Sequence, residues 1–104
     1  MVDPSVPSGS DQRRALRKCV EMRAQLRGRG GQRFTVAVTD LSTTGFRAEA
    51  AFDLKEGDLV WLTMPGMQGL EATVAWRDGY IYGFAFARPL YPAVFDRIVA
   101  SSEA

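Results

Sequence analysis

Apolar and polar side chains alternate along much of this chain, beginning at Val20. Apolar residues occupy every second position from Val20 to Leu26, with charged or amide side chains between them. A period of two predicts a β-strand with one buried face. The alternation resumes over residues 34–39, after a glycine-rich stretch at 27–32. The two segments therefore predict a β-hairpin.

Four further stretches have the length and the alternation of short strands. The connection between the last two contains Asp78-Gly79, a pair that favours a two-residue hairpin loop. Two prolines end the series, and Phe95, Ile98 and Val99 then recur at helical spacing. Predicted strands three to six cover residues 46–50, 59–64, 70–77 and 80–87, and the predicted helix covers 93–101.

These elements predict an all-β fold, a small six-stranded antiparallel β-barrel with a short C-terminal α-helix. Closure removes the exposed edges that an open sheet would leave, and we expect the helix to plug one end. Tyr80, Tyr82, Phe84 and Phe86 form an aromatic stripe on the last strand. Because mostly small residues occupy the opposite face, we expect the stripe to pack inward and not to serve as a base-stacking platform.

Length and composition are those of one globular domain. The chain has 104 residues, of which 46% are hydrophobic, and its apolar stretches are too interrupted for a membrane helix. Residues 1–11 are rich in Pro, Ser, Gly and Asp and predict a disordered tail, which leaves 12–100 as the domain. The N-terminus has neither the basic nor the apolar region of a signal peptide, so we expect a cytoplasmic protein.

The net charge of +1 conceals a strongly basic segment. Residues 12–33 contain eight basic residues and one acidic residue, a net charge of +7. Such segregation points to a phosphate-bearing partner, although a solubilising basic arm has the same composition.

Residues suited to catalysis or metal binding are scarce. The chain has no histidine and one cysteine, Cys19, which is expected on the polar face of the first strand. A cysteine nucleophile needs a paired base, no side chain is an obvious general base near neutral pH, and the usual zinc ligands are missing. We therefore expect no enzymatic activity, no metal site and no cofactor.

Two short motifs are candidates for binding an anionic ligand. The first is the pair Arg13 and Arg17, four residues apart on the approach to the first strand. Three other basic pairs share this spacing, but the position of Arg13 and Arg17 allows them to fold over a ligand on the barrel. The second motif is the segment Asp40-Leu41-Ser42-Thr43-Thr44-Gly45, which by itself also fits a β-turn.

Together the motifs resemble those of the PilZ family, an Arg-x-x-x-Arg ahead of the first strand and an Asp/Asn-x-Ser-x-x-Gly between the second and third. Arg13 and Arg17 match the former, while Asp40, Ser42 and Gly45 match the latter in order and separation. The similarity extends over nearly the whole predicted domain.

The resemblance implies that the chain binds cyclic di-GMP, and the residue types suit that ligand. A guanidinium can bind a phosphate or the O6/N7 edge of guanine. Asp40 offers acceptors to the N1–H and N2–H₂ donors of a guanine, with Ser42 beside it. Gly45 is expected to permit a sharp turn clear of the ligand, and Arg14 to stack on guanine or contact phosphate. The implied ligand-binding residues are Arg13, Arg14, Arg17, Asp40, Ser42 and Gly45.

Three functions remain open at this point. The favoured one is a single-domain cyclic di-GMP receptor that passes the signal to a protein partner. The second is a PilZ-like adaptor that binds a protein without nucleotide, although such an adaptor would tolerate loss of the motif residues, and all are present. The third is a small basic barrel that binds RNA or single-stranded DNA. That function leaves Asp40 unexplained, since a carboxylate repels a phosphate backbone.

Overall fold

The computed structural model describes residues 17–64 and 69–103, without the side chains of Ser102 and Glu103. The predicted tail at 1–11, and with it Arg13 and Arg14, lies outside the described residues. Within the described ranges the predicted strands and helix are present, with boundaries that differ by a few residues. In chain order the elements are β1 (Arg17–Gly28), β2 (Arg33–Ser42), β3 (Gly45–Glu49), β4 (Leu59–Thr63), β5 (Leu70–Asp78), β6 (Ile81–Phe86) and α1 (Pro92–Glu103).

The strands form a closed antiparallel barrel in the order β1-β2-β3-β6-β5-β4. Strands β1 and β4 close it by pairing residues 25–28 with residues 60–63. Because the barrel is closed, β1 and β4 each have a hydrogen-bonded neighbour on both sides over part of their length. Closure therefore removes a long open edge. The predicted fold class is confirmed.

The barrel interior is filled by the apolar residues that the alternation selects. Phe46 and Phe84 stack inside it with ring centroids 4.5 Å apart. Tyr82, Phe84 and Phe86 are buried, so the expected inward stripe is confirmed for these three. Its fourth member, Tyr80, is 68% exposed because it lies in the hairpin loop before β6.

The loop between β5 and β6 begins one residue later than predicted. Asp78 pairs with Ile81 across the hairpin, so the two loop residues are Gly79 and Tyr80. Gly79 has a φ of 65°, a left-handed conformation that is sterically unfavourable for residues with a Cβ. Gly79 therefore permits the tight turn.

In the described strands, three β-bulges interrupt the regular register. A bulge adds one residue to a strand and changes the face on which the following side chains lie. Asp40 and Trp76 each follow a buried valine, Val38 or Val74, by two residues, so regular alternation would place them inside the barrel. The bulge before each of them places it on the outer face instead. The bulges fall between Cys19 and Met22 of β1, between Val38 and Asp40 of β2, and between Val74 and Trp76 of β5.

Helix α1 packs against β1 and joins the same hydrophobic core as the strands. Its predicted apolar face is confirmed, since Phe95, Ile98 and Val99 are all buried. The segment before the helix is fixed to the connection between β2 and β3, where the Leu90 amide donates to the Thr43 carbonyl at 2.7 Å. In the described part of the chain, no helix has the length and hydrophobicity needed to cross a membrane.

Candidate functional site

A groove of about 360 Å³ lies on the outer face of the barrel, where β2, β3, β6 and β5 run side by side next to the start of β1. Its volume falls within the range of small-molecule sites, about 300–1,000 Å³. The groove brings together the described residues that occupy the defining positions of the two motifs, and it adds a guanidinium and an indole that the motifs did not include. These lining residues are Arg17, Asp40, Ser42, Gly45, Arg47 and Trp76.

A row of four directly paired residues crosses the groove. Asp40 of β2 pairs with Arg47 of β3. Arg47 pairs in turn with Gly83 of β6, and Gly83 pairs with Trp76 of β5. Cross-strand neighbours have Cβ atoms about 5 Å apart. The row therefore presents a carboxylate, a guanidinium and an indole ring in sequence across the barrel.

Asp40 is the acidic member of this row, and its side chain is only 14% exposed. Its Oδ2 lies 3.9 Å from Nε of Arg17 and 4.0 Å from Nη2 of Arg47. Its Oδ1 is buried and accepts no hydrogen bond from any described residue. An unsatisfied buried acceptor is unfavourable by about 1–3 kcal/mol, and by more when it is charged. The arrangement favours a ligand that brings N–H donors to Asp40.

The two arginines beside Asp40 keep much of their surface free. The side chains of Arg17 and Arg47 are 74% and 47% exposed. Nε of Arg47 lies 3.5 Å from Oγ1 of Thr39, a long contact on the neighbouring strand. Both guanidinium groups can therefore offer N–H donors to a phosphate or to the acceptor edge of a guanine.

Ser42 ends β2 with its hydroxyl directed into the hairpin connection. Its Oγ accepts from the amides of Thr44 at 3.2 Å and Gly45 at 3.0 Å. This is the turn-forming role that the motif also fits, and a direct contact with ligand stays a prediction. The connection is correspondingly short. It contains only Thr43 and Thr44, where the sequence predicted a segment of residues 40–45 between the strands.

Gly45 is needed for close packing of two strands, in contrast to the expected sharp turn. It pairs with Ala85 of β6, and a Cβ at position 45 would lie 2.1 Å from the carbonyl oxygen of Phe84. Its φ is not among the positive values found at other described glycines. The missing side chain therefore lets β3 approach β6 at the floor of the groove.

Trp76 lies across Gly83 on the groove surface. A Cβ on Gly83 would lie 2.0 Å from Nε1 and 2.2 Å from Cε2 of the indole, so the ring occupies the space that a larger residue would fill. The side chain nevertheless remains 42% exposed. An exposed indole face beside a guanidinium and a carboxylate can stack on a purine base.

Sequence reasoning did not identify Arg47, Trp76 or Gly83 as site residues. Arg47 follows Gly45 by two residues and alternates with buried neighbours, so its proximity to the motif was an available signal. Trp76 offered no comparable signal, because nothing local in the sequence reveals the bulge that turns it outward.

Cys19 is exposed, as predicted, and pairs with Asp40 across β1 and β2. In residues 17–64 and 69–103, no three His, Cys, Asp or Glu residues form a group that could hold a metal ion.

Comparison with known proteins identifies the family. The family model of the PilZ domain matches residues 11–103, which is most of the chain. The chain belongs to the PilZ domain family, and the resemblance seen in its motifs is confirmed. No curated protein sequence matches it. PilZ domains form a family of cyclic di-GMP receptors.

Solved PilZ structures share the fold. The PilZ domain of CeSA from a cellulose-synthesizing bacterium has a TM-score of 0.61 at 16% identity, covering 86% of this chain and 99% of that one. The PilZ domain of YcgR from Escherichia coli, solved with cyclic di-GMP, has a TM-score of 0.61 at 22% identity, covering 89% of this chain and 92% of that one. At these identities the likeness shows the fold alone.

Proposed function

We propose that this chain is a cytoplasmic receptor for cyclic di-GMP that relays the signal to a protein partner without catalysing a reaction. The observation that carries the proposal is the environment of the Asp40 carboxylate. This carboxylate is largely buried between two arginines, and one of its oxygens has no described hydrogen-bond donor. Membership of the PilZ family and the ligand present in the YcgR structure support the same ligand.

The guanine and phosphate groups of the ligand have chemically matching side chains in the groove. The N1–H and N2–H₂ donors of one guanine suit Asp40, and the indole of Trp76 suits its flat face. The phosphates and the O6/N7 edge of guanine suit Arg17 and Arg47. Arg13 and Arg14 add further guanidinium groups in this proposal, as the sequence predicted. Ser42 and Gly45 fix the hairpin that carries Asp40, and a contact of Ser42 with the ligand belongs to the proposal as well.

The alternatives explain the groove less well. An adaptor that binds no nucleotide gives no reason for a nearly buried carboxylate with an unsatisfied oxygen. A binder of RNA or single-stranded DNA would place a phosphate backbone against the same carboxylate, which repels it.

Calorimetric titration of the full chain with cyclic di-GMP tests the proposal, with GTP and a short oligonucleotide as control ligands. We expect saturable binding of cyclic di-GMP and no saturable binding of GTP or the oligonucleotide. Arg13→Ala and Arg17→Ala should each weaken cyclic di-GMP binding roughly 10- to 100-fold, since a hydrogen bond to a charged group contributes about 1.5–3 kcal/mol. Arg97→Ala removes an exposed arginine from α1 and should change nothing. Absence of binding, or preference for the oligonucleotide, contradicts the proposal.

A further inference from the structure

A second group of arginines lies at the opposite end of β1 from the groove. Arg27, Arg29 and Arg33, here named the tip arginines, surround the turn of the β1–β2 hairpin and are all exposed. Arg17, at the groove, precedes Arg27 by ten residues along β1, which is about 30 Å in an extended strand. The tip arginines therefore form a surface separate from the groove.

The positive charge of the tip arginines is not neutralised within the described chain, where the ion pairs involve other arginines. Arg27 and Arg33 also pair directly across the hairpin, and like charges at such positions are destabilising. A partner that brings negative charge would relieve this repulsion. The surface is thus complementary to an acidic group.

Trp61 of β4 determines how Arg27 presents its charge. The two residues pair between β1 and β4, and the guanidinium carbon lies 4.8 Å from the centroid of the indole. A guanidinium resting on an aromatic face is held in place while its edge N–H groups stay available to bind a carboxylate bidentately. We propose that the tip arginines and Trp61 form a docking site for an acidic segment of a partner protein.

Three features favour a protein over other polyanions. Arg27 already covers a face of the Trp61 ring, so the ring is not a free platform of the kind that single-stranded nucleic acids use. Glu71 is exposed and pairs with Trp61 at the margin of the surface. Its charge repels any acidic group, but a peptide can place an uncharged or basic side chain opposite Glu71, which a continuous phosphate backbone cannot do. The turn at residues 28–32 has no apolar side chain to insert into a membrane surface.

This inference rests on the relay part of the proposed function, for which it names the surface and the chemistry of the partner. Docking itself does not require cyclic di-GMP, because the tip and the groove have no residue in common. The two properties can therefore fail independently in an experiment.

The test uses the full chain and a fluorescein-labelled peptide of alternating glutamate and alanine, titrated by fluorescence anisotropy at low ionic strength. The double variant Arg27→Gln/Arg33→Gln removes two charges from the tip. The matched control Arg88→Gln/Arg97→Gln removes two exposed charges elsewhere. We expect the tip variant to bind the peptide about fivefold more weakly or worse. The control should bind it as the parent does, and both variants should keep the parent's affinity for cyclic di-GMP.

Equal peptide affinity in the parent and the tip variant, or equal loss in both variants, overturns the docking site. Tighter binding of a short oligothymidylate than of the peptide, through the same two arginines, also overturns it and assigns the surface to nucleic acid. If circular dichroism shows the tip variant to be unfolded, the peptide titration is repeated with the double variant Arg27→Lys/Arg33→Lys. This variant keeps the charge and loses the bidentate geometry, so unchanged peptide affinity overturns the site. Peptide binding by a parent chain that does not bind cyclic di-GMP supports the docking site and contradicts the proposed function alone.

Discussion

Trp76 and Gly83 depend on each other for their positions in the groove. The indole lies so close to the backbone of Gly83 that an added Cβ would come within 2.0 Å of Nε1. Only a glycine on β6 leaves this space, and the bulge in β5 places the tryptophan opposite it. The ring that we assign to guanine stacking is therefore positioned by a residue of the neighbouring strand.

Gly83→Ala should displace the indole and weaken cyclic di-GMP binding about tenfold, because stacking a base on an aromatic ring contributes about 1–3 kcal/mol. Calorimetry gives the affinity. In a Trp61→Phe background the emission of Trp76, the remaining tryptophan, reports its displacement. Trp61→Phe alone is the control, and it should leave binding unchanged. A shifted Trp76 emission with unchanged affinity would show that the indole does not contact the ligand.

Ser42→Ala should lower the free energy of unfolding by about 1–3 kcal/mol, because the amides of Thr44 and Gly45 lose their acceptor in a buried turn. Urea denaturation measures this difference. Ser101→Ala, an exposed change on α1, is the matched control and should be close to neutral. If Ser42→Ala is equally neutral, the hydroxyl does not hold the hairpin.

An ion pair between residues that do not line the groove makes stability depend on pH. Arg77 donates to the carboxylate of Asp53 and, at 3.1 Å, to the carbonyl of Leu54. The hydrogen bond from Arg77, and then its charge, lowers the pKa of Asp53 below its ordinary value of 3.8. The pKa of Asp53 is lower in the folded protein than in the unfolded chain, so the ion pair stabilises the fold at pH values above the ordinary pKa of 3.8. This contribution is lost as the pH falls through the folded pKa.

Asp53→Asn should therefore lower the melting temperature at neutral pH, and its difference from the parent should vanish in strong acid. Melting curves of both proteins across this range give the comparison. Asp78→Asn serves as the control, since no ion pair involving Asp78 is found in the described part of the chain. A difference that persists unchanged in acid would show that the Asp53 charge is not responsible.

The barrel could be predicted because its signals are local. Alternation at every second residue identified the strands, and Gly79 and the prolines marked their ends. The motif likewise located Asp40 without knowledge of the structure. Its unsatisfied oxygen could not be foreseen, because that depends on a bulge in β2 and on neighbours from β1 and β3.

The other half of the groove depends on long-range register. Regular alternation would leave Trp76 on the inner face with Val74, and the bulge between them turns it outward. The pairing of β3 with β6 then brings Arg47 beside Gly83, although 35 residues separate the two positions along the chain. Such register is fixed by packing of the whole barrel and has no local sequence signal.

The affinity of Asp40→Ala for cyclic di-GMP is the decisive measurement for the proposed binding site. Asp40 supplies the acceptors for a guanine edge in our account, and its loss should weaken binding roughly 10- to 100-fold. For a binder of phosphate backbones the same change removes only repulsion and should strengthen binding slightly. Thermal melts must first show that the variant is folded. A folded Asp40→Ala protein that binds cyclic di-GMP much more weakly than the parent is the predicted result, and one that binds it as tightly as the parent shows that Asp40 does not hold the ligand.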